Sequence, residues 1–282
     1  MEKTKINKII KDDERKNPLT RGIFYLFIFF IIFFEYSKWN ANSYSFLWTH
    51  DAYTQTFPWM ARIIEDWRNF DIPLWTWGSG SGTSLIGELQ PGVLYPLTIL
   101  SSLFSGDPIS VIDFQIFFHA FIAASGIFYC GLKLKSNIFL SFILSISWAY
   151  YLLESRAFNQ ANLYYGYCYI SWISFIFLDI FKSLDNKNIH FPPSPNVKNA
   201  ILLSVLLSLS ILSGHTYATI GIIFFWIIYG LISFCIYKSF KIDKEGIRNW
   251  ILCFTLFCGL SSGQLFASSE YFKISRKWYG PG

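Results

Sequence analysis

Asp51 stands in the stretch THDAYTQTFPW, directly after His50 and four residues before Gln55. A carboxylate there can act as a general base toward an attacking hydroxyl, provided its surroundings tune its pKa. It can equally cap the helix that follows, a common task for Asp before an amphipathic run. His50 reads as a site group or as an interfacial hydrogen-bonder. Glu154 and Arg156 fall in ESRAFNQAN. The guanidinium fork of Arg156 suits a phosphate, and Glu154 would add a second carboxylate. The competing reading is a surface ion pair worth little. His215 follows Gly214 and either points into a vestibule or makes a structural hydrogen bond. Glu270, Lys273 and Lys277 recur at one-face helical spacing, with Arg276 beside them. They form a phosphate or headgroup clamp, or they snorkel at a helix end.

These groups need elements to hold them, and composition names the solvent of those elements. The chain has 282 residues, 53% hydrophobic, 21% aromatic and 15% charged. Its mean hydropathy is +0.37. Soluble domains carry about 25% charged residues, so this much Phe, Tyr and Trp points to lipid as the surroundings. The five cysteines lie in apolar segments and form no CxxC pair, so they read as small buried hydrophobes.

A hydrocarbon core of about 30 Å takes roughly 20 apolar residues per helix. The candidate spans are 22–36, 109–131, 138–153, 163–181, 200–213, 216–237 and 249–268. The run 92–104 is shorter and holds Pro96, which suits an interfacial or re-entrant piece. The first span has no small-residue cleavage site and is read as retained. With the basic N-terminus 1–21 placed in the cytoplasm, 16 of the 23 Lys and Arg fall inside. The positive-inside rule then gives seven crossings and an outer C-terminus. The same distribution explains the net charge of +5 by membrane orientation and excludes a nucleic-acid partner.

Residues 37–108 form the longest connection, outside, with Asp51 within it. A connection of that length in a compact protein is usually functional. In it, Phe57, Met60, Ile63, Ile64 and Trp67 make one helical face, with Arg62, Glu65, Asp66 and Arg68 opposite. That pattern predicts an amphipathic helix in the membrane interface, with Pro58 in its first turn. GSGSG at 78–82 lacks the Lys-Ser/Thr of a phosphate loop. The tryptophans of this region read mainly as interface anchors, with sugar stacking open for one or two, Trp75 first. His119, mid-span, is expected to be neutral and packed against Ser or Tyr.

The order HDAYTQTFPW, DIPLWTWGSGSGTSLIGELQPGVLYPL, SGHTYA and GQLFASSEYFKISRK resembles the bacterial YfhO family of polytopic membrane proteins, glycosyltransferases of the GT-C fold. The matching positions include Asp51, Gln55, Pro58, Trp75, Gly80, Gly82, Gln90 and Tyr95-Pro96. The resemblance covers most of the chain. Members are longer and carry more spans, so the chain is expected to be an N-terminal fragment, a truncated product or a minimal module.

The resemblance implies an all-α polytopic bundle at the plasma membrane, with 22–282 as one GT-C-like module. It implies transfer of a sugar from a polyprenyl-phosphate carrier to an extracytoplasmic acceptor, a cell-envelope polymer or lipid. Asp51 would be the base, Arg156 and the 273–277 cations would hold phosphate, and His215 and Gln55 would position substrate. Gln90 belongs to the same set by motif. No cofactor is named by these motifs. A divalent metal near Asp51 stays open, because some enzymes of that fold use one. The competing readings are a transporter or lipid flippase and a noncatalytic membrane subunit.

Overall fold

The computed structural model describes residues 17–41, 52–78, 82–153, 161–182, 195–214, 216–237 and 244–278. Helix α1 spans Pro18–Ala41. A π-helical turn, Ala52–Thr56, leads into α2, Phe57–Arg68. Strands β1, Trp75–Thr76, and β2, Thr83–Ser84, follow, and then α3, Pro96–Phe104. Helices α4 (Pro108–Lys133), α5 (Ile138–Leu152), α6 (Ala161–Cys168) and α7 (Ile170–Lys182) come next. The bundle is completed by α8 (Val197–Leu212), α9 (Thr216–Tyr237) and α10 (Lys244–Trp278).

The chain is thus an all-α bundle with one two-residue antiparallel pairing among the described residues. Among the described residues, four segments are long and apolar enough to cross a membrane: Pro18–Lys38, Pro108–Lys133, Leu163–Phe181 and Lys244–Lys273. Ile138–Leu152, Val197–Leu212 and Thr216–Ile232 are apolar but shorter. The stretch 163–181, read from sequence as one span, is one candidate span with a break between its two helices at Tyr169. Helix α10 runs well past the expected 249–268 at both ends.

Caps fix where helices begin. The Asp107 carboxylate accepts from the backbone N–H groups of Ile109 and Ser110, and Pro108 takes the first turn of α4, where no donor is lost. Asn137 and Asn196 cap α5 and α8 in the same way.

Helix α4 is the centre, packed on α1, α5, α6 and α7. Without a hydrophobic drive between helices in lipid, close approach depends on small residues. Gly126 abuts Ser171, and a Cβ at Gly131 would come within 2.5 Å of the Ser141 hydroxyl. A second core joins Tyr169, Ile173, Phe177, Leu203 and Trp226 from α7, α8 and α9. Cys130, Cys168 and Cys253 are buried, Cys258 is half-buried and Cys235 is exposed; all are free thiols.

The amphipathic helix forms where the pattern placed it, with Pro58 in the first turn. Its expected interfacial seat needs a correction. Met60, Ile63 and Ile64 are buried, and the helix lies on α3 and α4. Protein, not lipid, covers its apolar face. Helix α3 differs: Thr98, Ser101 and Ser102 point inward while Leu100, Leu103 and Phe104 remain exposed.

Candidate functional site at the loop end of the bundle

Segment 52–104 folds over the end of the bundle where α4 begins and α10 finishes. It is fastened from below. Along α10, Ser261, Gln264, Ser268 and Tyr271 recur at steps of three and four and so form one polar stripe in an apolar helix. The Gln264 amide donates to the Ile86 carbonyl at 2.8 Å and more weakly to that of Glu88 at 3.4 Å. The Tyr271 hydroxyl donates to the Glu88 carboxylate at 2.9 Å. Gly87 lies flat on Tyr271: a Cβ there would come within 2.6 Å of the tyrosine Cβ. Gly92, at φ +63°, approaches the Ser213 carbonyl, a position and conformation that only glycine takes without strain. The Trp67 indole donates to the Val93 carbonyl and joins α2 to the same loop.

Beneath this loop lies a buried polar chain. His119 Nδ1 is 2.6 Å from the Gln115 carbonyl, which can only accept, so Nδ1 carries the proton. Nε2 is then an acceptor for the Tyr95 hydroxyl at 2.8 Å, and Tyr169 bonds Tyr95 in turn. Burial and the neighbouring Tyr169 hold the Tyr95 phenol well above its usual pKa, so it stays neutral. Gln115 donates to Ser101 at 2.9 Å and ties α4 to α3. His119 is a neutral imidazole packed against tyrosines, as the sequence reading expects.

An open cavity of about 850 Å³ sits at the far end of α2, lined by Arg62, Asp66, Asp71, Trp75 and Trp77 among others. Helix α2 ends with the Asp71 N–H donating to the Asp66 carbonyl at 2.9 Å, and Phe70 takes φ +58° to make that turn. The chain then returns as β1, with Trp75 paired to Ser84 and Thr76 to Thr83. Gly82, at φ +96°, fits under both indoles; a Cβ would meet Trp75 Nε1 and Trp77 Cε3 at 2.8 Å. Asp66, placed by pattern on the polar face of α2, is only 5% exposed. Arg62, one turn earlier, grips it with two nitrogens at 2.7 and 3.0 Å. Burial raises the Asp66 carboxyl above its usual pKa, and the guanidinium pulls it part of the way back.

The sequence-derived site residues divide three ways. Asp51, His50, Glu154, Arg156 and His215 lie outside the described residues. Gln55 is exposed on the π-turn, which packs against α6, and Gln90 is half-buried in the loop above α10. Glu270 and Lys273 pair with each other at 2.5 Å on the exposed side of α10, away from the Gln264–Tyr271 stripe. Arg276 and Lys277 belong to the end of α10, and their side chains lie outside the described residues.

The residues that sequence reasoning passed over are Gln264, Tyr271 and Glu88 in the fastening, and Arg62, Asp66 and Asp71 in the cavity. The signal for the first set was present: polar residues three and four apart inside a span. Among the described residues no group of three or more His, Cys, Asp or Glu could hold a metal ion. No protein family, no curated protein and no solved structure matches the chain.

Proposed function

We propose that the chain is an integral membrane glycosyltransferase module. It moves a sugar from a polyprenyl-phosphate carrier to an acceptor on the extracytoplasmic face of the plasma membrane. The chain crosses seven times with a cytoplasmic N-terminus, and the loop end faces out. Asp51 is the general base that takes the acceptor hydroxyl proton. Arg156, with Arg276 and Lys277, faces the departing phosphate.

The observation that carries this reading is the fastening of segment 83–93 onto α10 and Ser213. It fixes a polar segment over the ends of apolar helices, where a water-soluble acceptor and a lipid-borne donor can meet. An apolar groove of about 490 Å³ among α7, α8, α9 and α10 supports the same reading, because a prenyl chain needs such a surface. The test is Asp51→Asn in membranes supplied with polyprenyl-phosphate sugar and envelope acceptor. Transfer falls to background while the protein accumulates normally; retained transfer overturns the mechanism. The groove also favours a second reading, a lipid flippase, which lipid scrambling by the purified chain in liposomes would reveal.

A further inference from the structure

We propose that the cavity at the end of α2 is a subsite for a neutral oligosaccharide. The inference rests on the transfer reading and names the class of acceptor, an extended neutral glycan. Trp75 and Trp77 stand edge to face with centroids 5.6 Å apart and are 40% and 78% exposed. Large rings left open to water, on a backbone held by strand pairing and by Gly82, are a platform laid out before any ligand arrives. The apolar C–H face of a hexose suits such a ring. At the cavity wall the exposed Asp71 offers carboxylate oxygens to sugar hydroxyls, beside the pair that Arg62 makes with the buried Asp66.

Charge selects within the glycans. One guanidinium faces two carboxylates, and Arg62 is already committed to Asp66. An acidic sugar or a phosphate would meet net negative charge, so the cavity is not the seat of the donor phosphate. Geometry selects length. From Phe57, beside the π-turn that follows Asp51, to Asp66 is about 14 Å of helix at 1.5 Å per residue. A single sugar cannot touch both ends of α2, whereas a chain of several can.

The experiment uses the full chain in nanodiscs and ligand-observed saturation-transfer NMR. The probes are cello-oligosaccharides and N-acetylchito-oligosaccharides of increasing length, with oligogalacturonate as the acidic comparator. At least one neutral series binds more tightly as it lengthens, and the acidic series is weaker by about tenfold or more. Trp75→Ala and Asp71→Asn each weaken neutral binding about tenfold, the loss of one good contact. Both positions are solvent-facing, and unchanged thermal unfolding shows that the fold survives.

No signal from either neutral series, equal binding of the acidic one, or indifference to both variants overturns the assignment. Quenching of Trp75 by brominated lipids also overturns it and gives the indoles to the membrane. A chain that binds neutral glycan but transfers no sugar overturns the transfer reading alone. A chain that transfers sugar without glycan contact at Trp75 overturns the cavity assignment alone.

Discussion

The cavity beside α2 and the groove among α7 to α10 are made of different materials. The cavity is walled by Arg62, Asp66 and Asp71 with two open indoles, on a short helix and a two-residue hairpin. The groove is walled by Phe177, Leu207, Trp226, Cys253 and Phe257 on long helices. Trp226 stacks on Phe177 at 4.9 Å and on Phe181 at 5.4 Å. One region is held by directed hydrogen bonds and glycine fits, the other by ring packing. The first is therefore sensitive to single polar atoms, and the second tolerates change as long as volume is kept.

The largest break in this comparison is expected from Gln264→Leu. It leaves the Ile86 and Glu88 carbonyls without their donor, a loss of about 1–3 kcal/mol for buried groups. Thermal unfolding should drop, and limited proteolysis should open the 83–95 region. Cys253, 4% exposed in the groove, should stay as slow to label with a thiol reagent as before. Labelling that accelerates together with proteolysis would show that the two regions are one cooperative unit.

Gly87→Ala should come next. Its methyl would press on Tyr271 Cβ, which is tied to the α10 backbone, and overpacking costs about 1–3 kcal/mol. Tyr271→Phe in the same background separates the steric loss from the lost bond to Glu88. Recovery of stability in the double variant would contradict the steric account.

Asp107→Ala should cost about 1 kcal/mol as a lost helix cap. The Ser110 hydroxyl and N–H hold the Asp107 carboxyl below its usual pKa. Its contribution is present above the ordinary aspartate value and is lost as pH falls through the lowered one. Asp66 has the opposite sign. Its raised pKa makes protonation favour the fold, so its contribution is present at low pH and lost as pH rises through the raised value. Unfolding temperatures from about pH 3 to 6 should therefore tilt one way in Asp107→Ala and the other in Asp66→Asn.

Trp226→Phe should do least. The buried indole N–H has no hydrogen-bond partner among the described residues, so its loss costs nothing and only the packing of the larger ring is given up, about 1 kcal/mol. A loss of several times that would mean that the groove depends on a polar contact and is not purely apolar.

The apolar helices were legible because lipid imposes a length and a composition that survive in any window of sequence. Pro58, Pro96 and the Met60–Ile63–Ile64 face marked the loop elements for similar local reasons. Asp66 was not legible: a charged residue opposite an apolar face reads as solvated, yet this one is buried and gripped by Arg62. The β1–β2 pairing is too short to leave any alternation. Lys273 and Glu270 pair with each other on the exposed side of α10, and charges in helical register do not by themselves tell a clamp from such a pair.

The bonds from Gln264 and Tyr271 reach partners 178 and 183 positions earlier in the chain. During synthesis, the segment carrying Ile86 and Glu88 emerges long before α10 exists. Until α10 arrives its two carbonyls lack the Gln264 amide, and its carboxylate has Thr83 but not Tyr271. That end is secured only once α10 is made: α10 is the latch, and a chain stopped before it leaves segment 83–93 unfastened.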